Sequence, residues 1–147
     1  LSKSYGLASL RVGLGFAASE LINELDKVRD SYNLDRLAQI GAQAALEDQD
    51  YLQNTVALVI KERQYLTTAL QALGFKVEPS QTNFIFVTPP QGCLAADLQA
   101  GLEKNGFLVR YFSDPDLAHG LRITIGTQAE MIQLVNVIKK ILKNGDK

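Results

Sequence analysis

Apolar residues recur at helical spacing in some stretches of this chain and cluster at strand spacing in others, and the order of those stretches indicates the architecture. From Ser19, an N-cap residue type, Leu21, Ile22, Leu25 and Val28 fall on one helix face. Asp30-Ser31-Tyr32-Asn33 reads as a turn, and a second short helix begins at Asp35. The strongest helical signal runs from about Asp50, where Gln53 completes a capping-box-like pair, to Gly74 as a stop. Its apolar face is Leu52, Val56, Val59, Ile60, Leu66, Leu70 and Leu73. At 1.5 Å per residue such a helix is about 35 Å long, enough to span two domains.

After Gly74 the pattern changes. Phe75 to Val77 and Asn83 to Val87 are rich in β-branched and aromatic residues and are bounded by Pro79 and Pro89-Pro90, as strands are. Leu94, Leu98 and Leu102 mark a helix ending near Gly106, followed by strands at Phe107 to Phe112 and Leu121 to Ile125. Thr127 and Glu130 form a capping box for a closing helix lined by Met131, Leu134, Val135, Ile138, Ile141 and Leu142. The expected fold class is α/β, ending in an α+β unit from about residue 75: a sheet of three or four strands covered by two or three helices.

Composition narrows the function. Fifteen basic against sixteen acidic residues give a net charge of −1 with no basic stripe, which argues against nucleic acid. No apolar run approaches the roughly 20 residues of a membrane helix, so no membrane partner is expected. A single cysteine, Cys93, leaves no internal disulfide and fits a reducing compartment. One Cys and one His cannot supply the usual metal ligand set, so no metal is expected. The chain starts at Leu1 and runs at once into a Gly/Ser/Arg-rich segment, as a piece of a longer protein would.

That opening segment carries the chemistry. Lys3 and Arg11 lie eight residues apart among small residues in Leu1-Ser2-Lys3-Ser4-Tyr5-Gly6-Leu7-Ala8-Ser9-Leu10-Arg11-Val12-Gly13. Small residues let backbone approach a bound group, and a guanidinium forks onto phosphate. A partly desolvated lysine near another cation becomes nucleophilic towards an aldehyde. Together they suit pyridoxal 5'-phosphate, the lysine forming a Schiff base and later shuttling a proton, the arginine holding the phosphate. From composition alone a solvated surface loop explains the same residues.

The order of the residues goes further. The string from Ser2 to Gly13 resembles the cofactor-lysine motif of fold-type I aminotransferases, departing from it mainly at Ser9, where glycine is frequent. Pro79-Ser80-Gln81-Thr82-Asn83-Phe84, Val109-Arg110-Tyr111-Phe112 and Leu121-Arg122-Ile123-Thr124-Ile125-Gly126-Thr127 narrow the resemblance to the histidinol-phosphate aminotransferase family. It implies Lys3 as catalytic and cofactor-binding residue, Arg11 and Ser2 as cofactor-phosphate contacts, and Arg110 and Arg122 as contacts to the substrate phosphate. Alternation along Leu121 to Ile125 fits that role, placing Arg122 and Thr124 on the face opposite Leu121, Ile123 and Ile125. An ordinary exposed or salt-bridged strand arginine is the alternative.

By the same resemblance, residues 1–48 are the tail of a large cofactor-binding domain, 49–74 a long connecting helix and 75–147 a small carboxy-terminal domain. The implied reaction exchanges an amino group between L-histidinol phosphate and 2-oxoglutarate or glutamate, in a cytoplasmic homodimer of histidine biosynthesis. The family takes the aspartate on the pyridine nitrogen, the tyrosine on the 3'-oxygen, the ring-stacking aromatic and part of the phosphate cup from a segment preceding the lysine. The 147 residues alone are therefore expected to be inactive. Another fold-type I aminotransferase or decarboxylase, or a non-catalytic remnant, are the rivals. Tyr32 and Asn33 fall in a turn near the family's active site but are also ordinary turn residues, Tyr5 reads equally as packing, and Lys61-Glu62-Arg63 reads as a solvated helix face.

Overall fold

The structure is a computed structural model and describes residues 1–145. The last two residues of the 75–147 segment thus lie outside the described residues. Two compact units are present, Leu1–Val56 and Ala57–Lys147.

In the first unit a 3-10 turn at Ala8–Leu10 precedes helices α1 (Ser19–Val28) and α2 (Arg36–Glu47). Helix α2 starts as its sequence implies, with Asp35 Oδ1 accepting the backbone N–H of Ala38 at 2.8 Å. Ser19 is not the cap of α1. Ala18 holds that position without a side-chain bond, and Ser19 is the first helical residue. A small core of Val12, Ala38 and Ala42 is flanked by Leu1, Leu10 and Leu34. The apolar stripe of α1 stays outside it: Leu21, Leu25 and Val28 are exposed.

Helix α3 spans Gln49–Gln71. Its start is capped by Asp48, whose Oδ1 accepts from the Tyr51 N–H at 3.0 Å, and not by Asp50. Its inward line is Glu62, Leu66 and Leu70, spaced four apart, while Val56 and Ile60 are exposed. The charged run therefore does not form one solvated face. At about 100° per residue the helix turns Lys61 outward and Glu62 inward. Glu62 is 1% exposed, and neither carboxylate oxygen has a hydrogen-bond partner among the described residues. Arg63 Nη1 donates to the Thr82 carbonyl at 2.6 Å, tying the helix to the loop before the sheet.

The second unit carries strands β1 (Lys76–Val77), β2 (Phe84–Thr88), β3 (Arg110–Tyr111) and β4 (Leu121–Thr124), with α4 (Ala95–Lys104) and α5 (Gln128–Gly145). All neighbouring strands are antiparallel, in the order β1-β2-β4-β3. This is the mixed helix-and-sheet fold expected, with β1 and β4 one residue shorter than their patterns and β3 much shorter. Phe107 to Val109 do not join β3, because the Phe107 N–H is used to close α4 on the Leu102 carbonyl at 3.0 Å. Helices α3 and α4 both stop at glycines of positive φ, Gly74 at 85° and Gly106 at 82°. In each, the following N–H reaches back five residues and the glycine N–H three, the left-handed helix ending that only glycine adopts cheaply.

One face of the sheet is the core. Ile85, Val87, Leu121 and Ile123 are buried with Leu66, Leu70, Leu98, Leu102, Leu134 and Ile138 of the helices. Leu94 lies just before α4 and is exposed, so only Leu98 and Leu102 of the expected stripe face inward. The start of α5 is a reciprocal box: Glu130 Oε2 accepts from the Thr127 N–H at 2.7 Å and from its hydroxyl at 2.8 Å. Those two bonds hold the Glu130 carboxyl below its ordinary pKa.

Candidate active site

The residues singled out by sequence fall into two groups, one in each unit. In the first, residues 1–12 form a closed loop. Leu1 N donates to the Val12 carbonyl at 3.0 Å, with further turns from Gly6 N to Lys3 O and Leu10 N to Leu7 O. That closure brings the backbone of Leu1, next to Ser2, against Val12, next to Arg11. Arg11 has φ 55°, one of two non-glycine residues with positive φ among the described residues, the other being Tyr32. A left-handed non-glycine costs about 1–3 kcal/mol and tends to occur where the backbone is committed to a site. Arg11 Nη1 donates to the Ala8 carbonyl at 2.8 Å, which leaves the rest of its fork available.

Lys3 and Arg11 are exposed and Ser2 is half-buried. The desolvated pocket expected around Lys3 is therefore not built by the described residues. The first unit's apolar side chains gather around Val12, Ala38 and Ala42 and do not cover the lysine. Tyr5 is half-buried and Tyr32 is 99% exposed.

The second group sits on the sheet face opposite the core. Arg110 and Arg122 are direct Cα partners across the β3–β4 ladder, so both guanidiniums leave the same face. Neither has a hydrogen-bond or salt-bridge partner among the described residues. They lie instead over aromatic rings: Arg110 Cζ is 5.2 Å from the Phe112 centroid, and Arg122 Cζ is 5.3 Å from that of Phe84 and 5.7 Å from that of Phe112. Phe86, the Cα partner of Arg122, meets His119 edge to face at 5.4 Å. The rings at 84 and 112 were not singled out by sequence. The signal was there, since Phe112 is two residues beyond Arg110 and strand alternation sends both to one face.

Cys93 is half-buried outside both groups, where burial and the Asp97 carboxylate push its thiol above the ordinary value. No helix among the described residues is long and apolar enough to cross a membrane.

The model of the family described as aminotransferase class I and II matches residues 1–138, and the chain belongs to that family. It is 51% identical over 140 residues to the histidinol-phosphate aminotransferase of Geotalea daltonii, a match covering 95% of this chain and 40% of that protein. The chain thus spans about two-fifths of the length of the curated relatives it matches. Among solved structures it resembles the histidinol-phosphate aminotransferase of Sinorhizobium meliloti in complex with pyridoxal-5'-phosphate, with TM-score 0.84 and 28% identity, covering 97% of this chain and 39% of that one. The L-threonine-O-3-phosphate decarboxylase of Porphyromonas gingivalis shares the fold at TM-score 0.77 and 23% identity, covering 97% and 45% respectively.

Proposed function

We propose that this chain is the carboxy-terminal portion of an aminotransferase that moves an amino group between L-histidinol phosphate and 2-oxoglutarate, a step of histidine biosynthesis. The observation that carries the reading is the pairing of Arg110 with Arg122 on one sheet face, without a carboxylate on either among the described residues. Two fixed, unneutralised guanidiniums suit a dianionic phosphate, and the same pair accepts the carboxylate of 2-oxoglutarate or glutamate. The 51% identity to a protein named for this activity supports the choice of substrate.

The donor set in the first unit fits pyridoxal 5'-phosphate by its chemistry: an amine that reacts with an aldehyde, with a guanidinium and a hydroxyl in the same loop. When bound, that cofactor supplies the electron sink for the carbon that loses its proton. Lys3 Nζ would hold it and then carry the proton from the substrate carbon, while Arg11 and Ser2 would hold its phosphate. Arg110 and Arg122 would orient the substrate by its anionic end, leaving its amine free to react. On this proposal residues 1–48 close the large cofactor domain, 49–74 connect, 75–147 form the small domain, and the whole enzyme is a cytoplasmic homodimer. A second reading, decarboxylation of a phosphorylated amino acid, draws on the shared fold of the Porphyromonas decarboxylase.

The test uses the full-length enzyme carrying this chain. A panel of phosphorylated substrates separates amino transfer from decarboxylation by product. Arg122→Gln should raise KM for histidinol phosphate about 10- to 100-fold, the weight of a charge-assisted hydrogen bond, and leave KM for unphosphorylated histidinol unchanged. An unchanged KM for the phosphorylated substrate would refute the clamp.

A further inference from the structure

Arg110 and Arg122 face each other directly across two strands, and like charges so placed repel. An acidic neighbour is the common remedy, yet among the described residues neither arginine forms a salt bridge. The ring of Phe112 takes that place, lying within 6 Å of both guanidinium carbons, at 5.2 Å from Arg110 and 5.7 Å from Arg122. The chemical difference matters. A carboxylate would order the guanidiniums but consume their charge and N–H donors, whereas the negative face of a ring attracts the cations and leaves the donors for an incoming anion. Phe84 also lies by Arg122, at 5.3 Å, and among the described residues Phe112 is the ring that both arginines meet.

We propose that Phe112 is a positioning residue for the anion subsite, holding both guanidiniums at the separation where a dianion meets both at once. This rests on the reading of Arg110 and Arg122 as the substrate-phosphate clamp. Phe112 contributes no hydrogen-bonding group and acts through the arginines alone. Without the ring, the cations separate by repulsion and the anion meets them one at a time. Binding of the phosphate weakens while the chemical step, remote from the ring, is unaffected.

The experiment compares Phe112→Leu with Phe112→Tyr in the full-length enzyme, with inorganic phosphate as a competing probe. Phe112→Leu is expected to raise KM for histidinol phosphate and the inhibition constant of inorganic phosphate about three- to tenfold, with kcat unchanged. Phe112→Tyr keeps an aromatic face and should stay within about twofold of the parent on both. In an Arg110→Gln/Arg122→Gln background Phe112→Leu should add nothing, an outcome that a general packing role would not produce. Phe112→Met carries the same comparison if the leucine variant does not fold. An unchanged KM, a parallel fall in kcat, or an equal effect in the double-arginine background each overturns the positioning role. If the double-arginine variant itself leaves KM unchanged, the clamp fails first, and that result is distinct from a clamp that works without its ring.

Discussion

Replacing Gly120 by alanine tests how closely the loop before β4 approaches the sheet. A Cβ at this position would lie 2.5 Å from Cε1 and Cζ of Phe86 and 2.8 Å from the Val87 carbonyl oxygen. The ring could swing away at the expense of its edge contact with His119. The carbonyl has no such freedom, because Val87 is held by Val77 on one side and Leu121 on the other, with its own side chain fully buried. Relief must then come from the backbone, at the roughly 1–3 kcal/mol typical of overpacking. In the full-length protein, where each kcal/mol moves the midpoint by only about 2–4 °C, that lowers it by roughly 2–12 °C. Gly15→Ala is the control: an added Cβ there meets nothing within 4 Å, and the change should be neutral or stabilising by about 0.4–1 kcal/mol. Thermal unfolding of both variants in the full-length protein, monitored by circular dichroism, gives the comparison. Equal midpoints for the two would refute the close approach at Gly120.

Two further outcomes follow from individual carboxyl groups. Glu62 is buried with both oxygens unpartnered among the described residues, so Glu62→Met should raise stability by about 1–3 kcal/mol in denaturant titration; a loss of that size would show a donor supplied from elsewhere in the protein. The Glu130 carboxyl lies below its ordinary pKa because it accepts two bonds from Thr127. Its contribution is therefore present above the ordinary carboxylate range and is lost as pH falls through the depressed value. Glu130→Gln should lower the unfolding midpoint at neutral pH, with the difference closing as pH falls through the carboxylate range; a difference of the same size at every pH down that range would refute the linkage.

Much of the molecule follows from short-range pattern. The stops at Gly74 and Gly106, the caps at Asp35 and at Thr127 with Glu130, and the alternation that sends Arg122 away from Leu121 and Ile123 each depend on residues within a few positions of one another. The Lys3-to-Arg11 string is likewise local, which is why the chemistry of the family can be read from it. What needed the tertiary structure are facts about partners distant in sequence. Nothing near Glu62 marks it as buried between Lys61 and Arg63; the helix phase set by Leu66 and Leu70 turns it inward. Phe107 to Val109 have a strand's composition, but the closing bond of α4 takes the first donor they would need. Above all, alternation assigns Arg110 and Arg122 each to a face, while only the antiparallel register of β3 against β4 brings them opposite each other, each over the Phe112 ring. Register is fixed by burial of Leu121 and Ile123 against helices far along the chain, so the distance between the two charges is a property of the packed core and not of either strand.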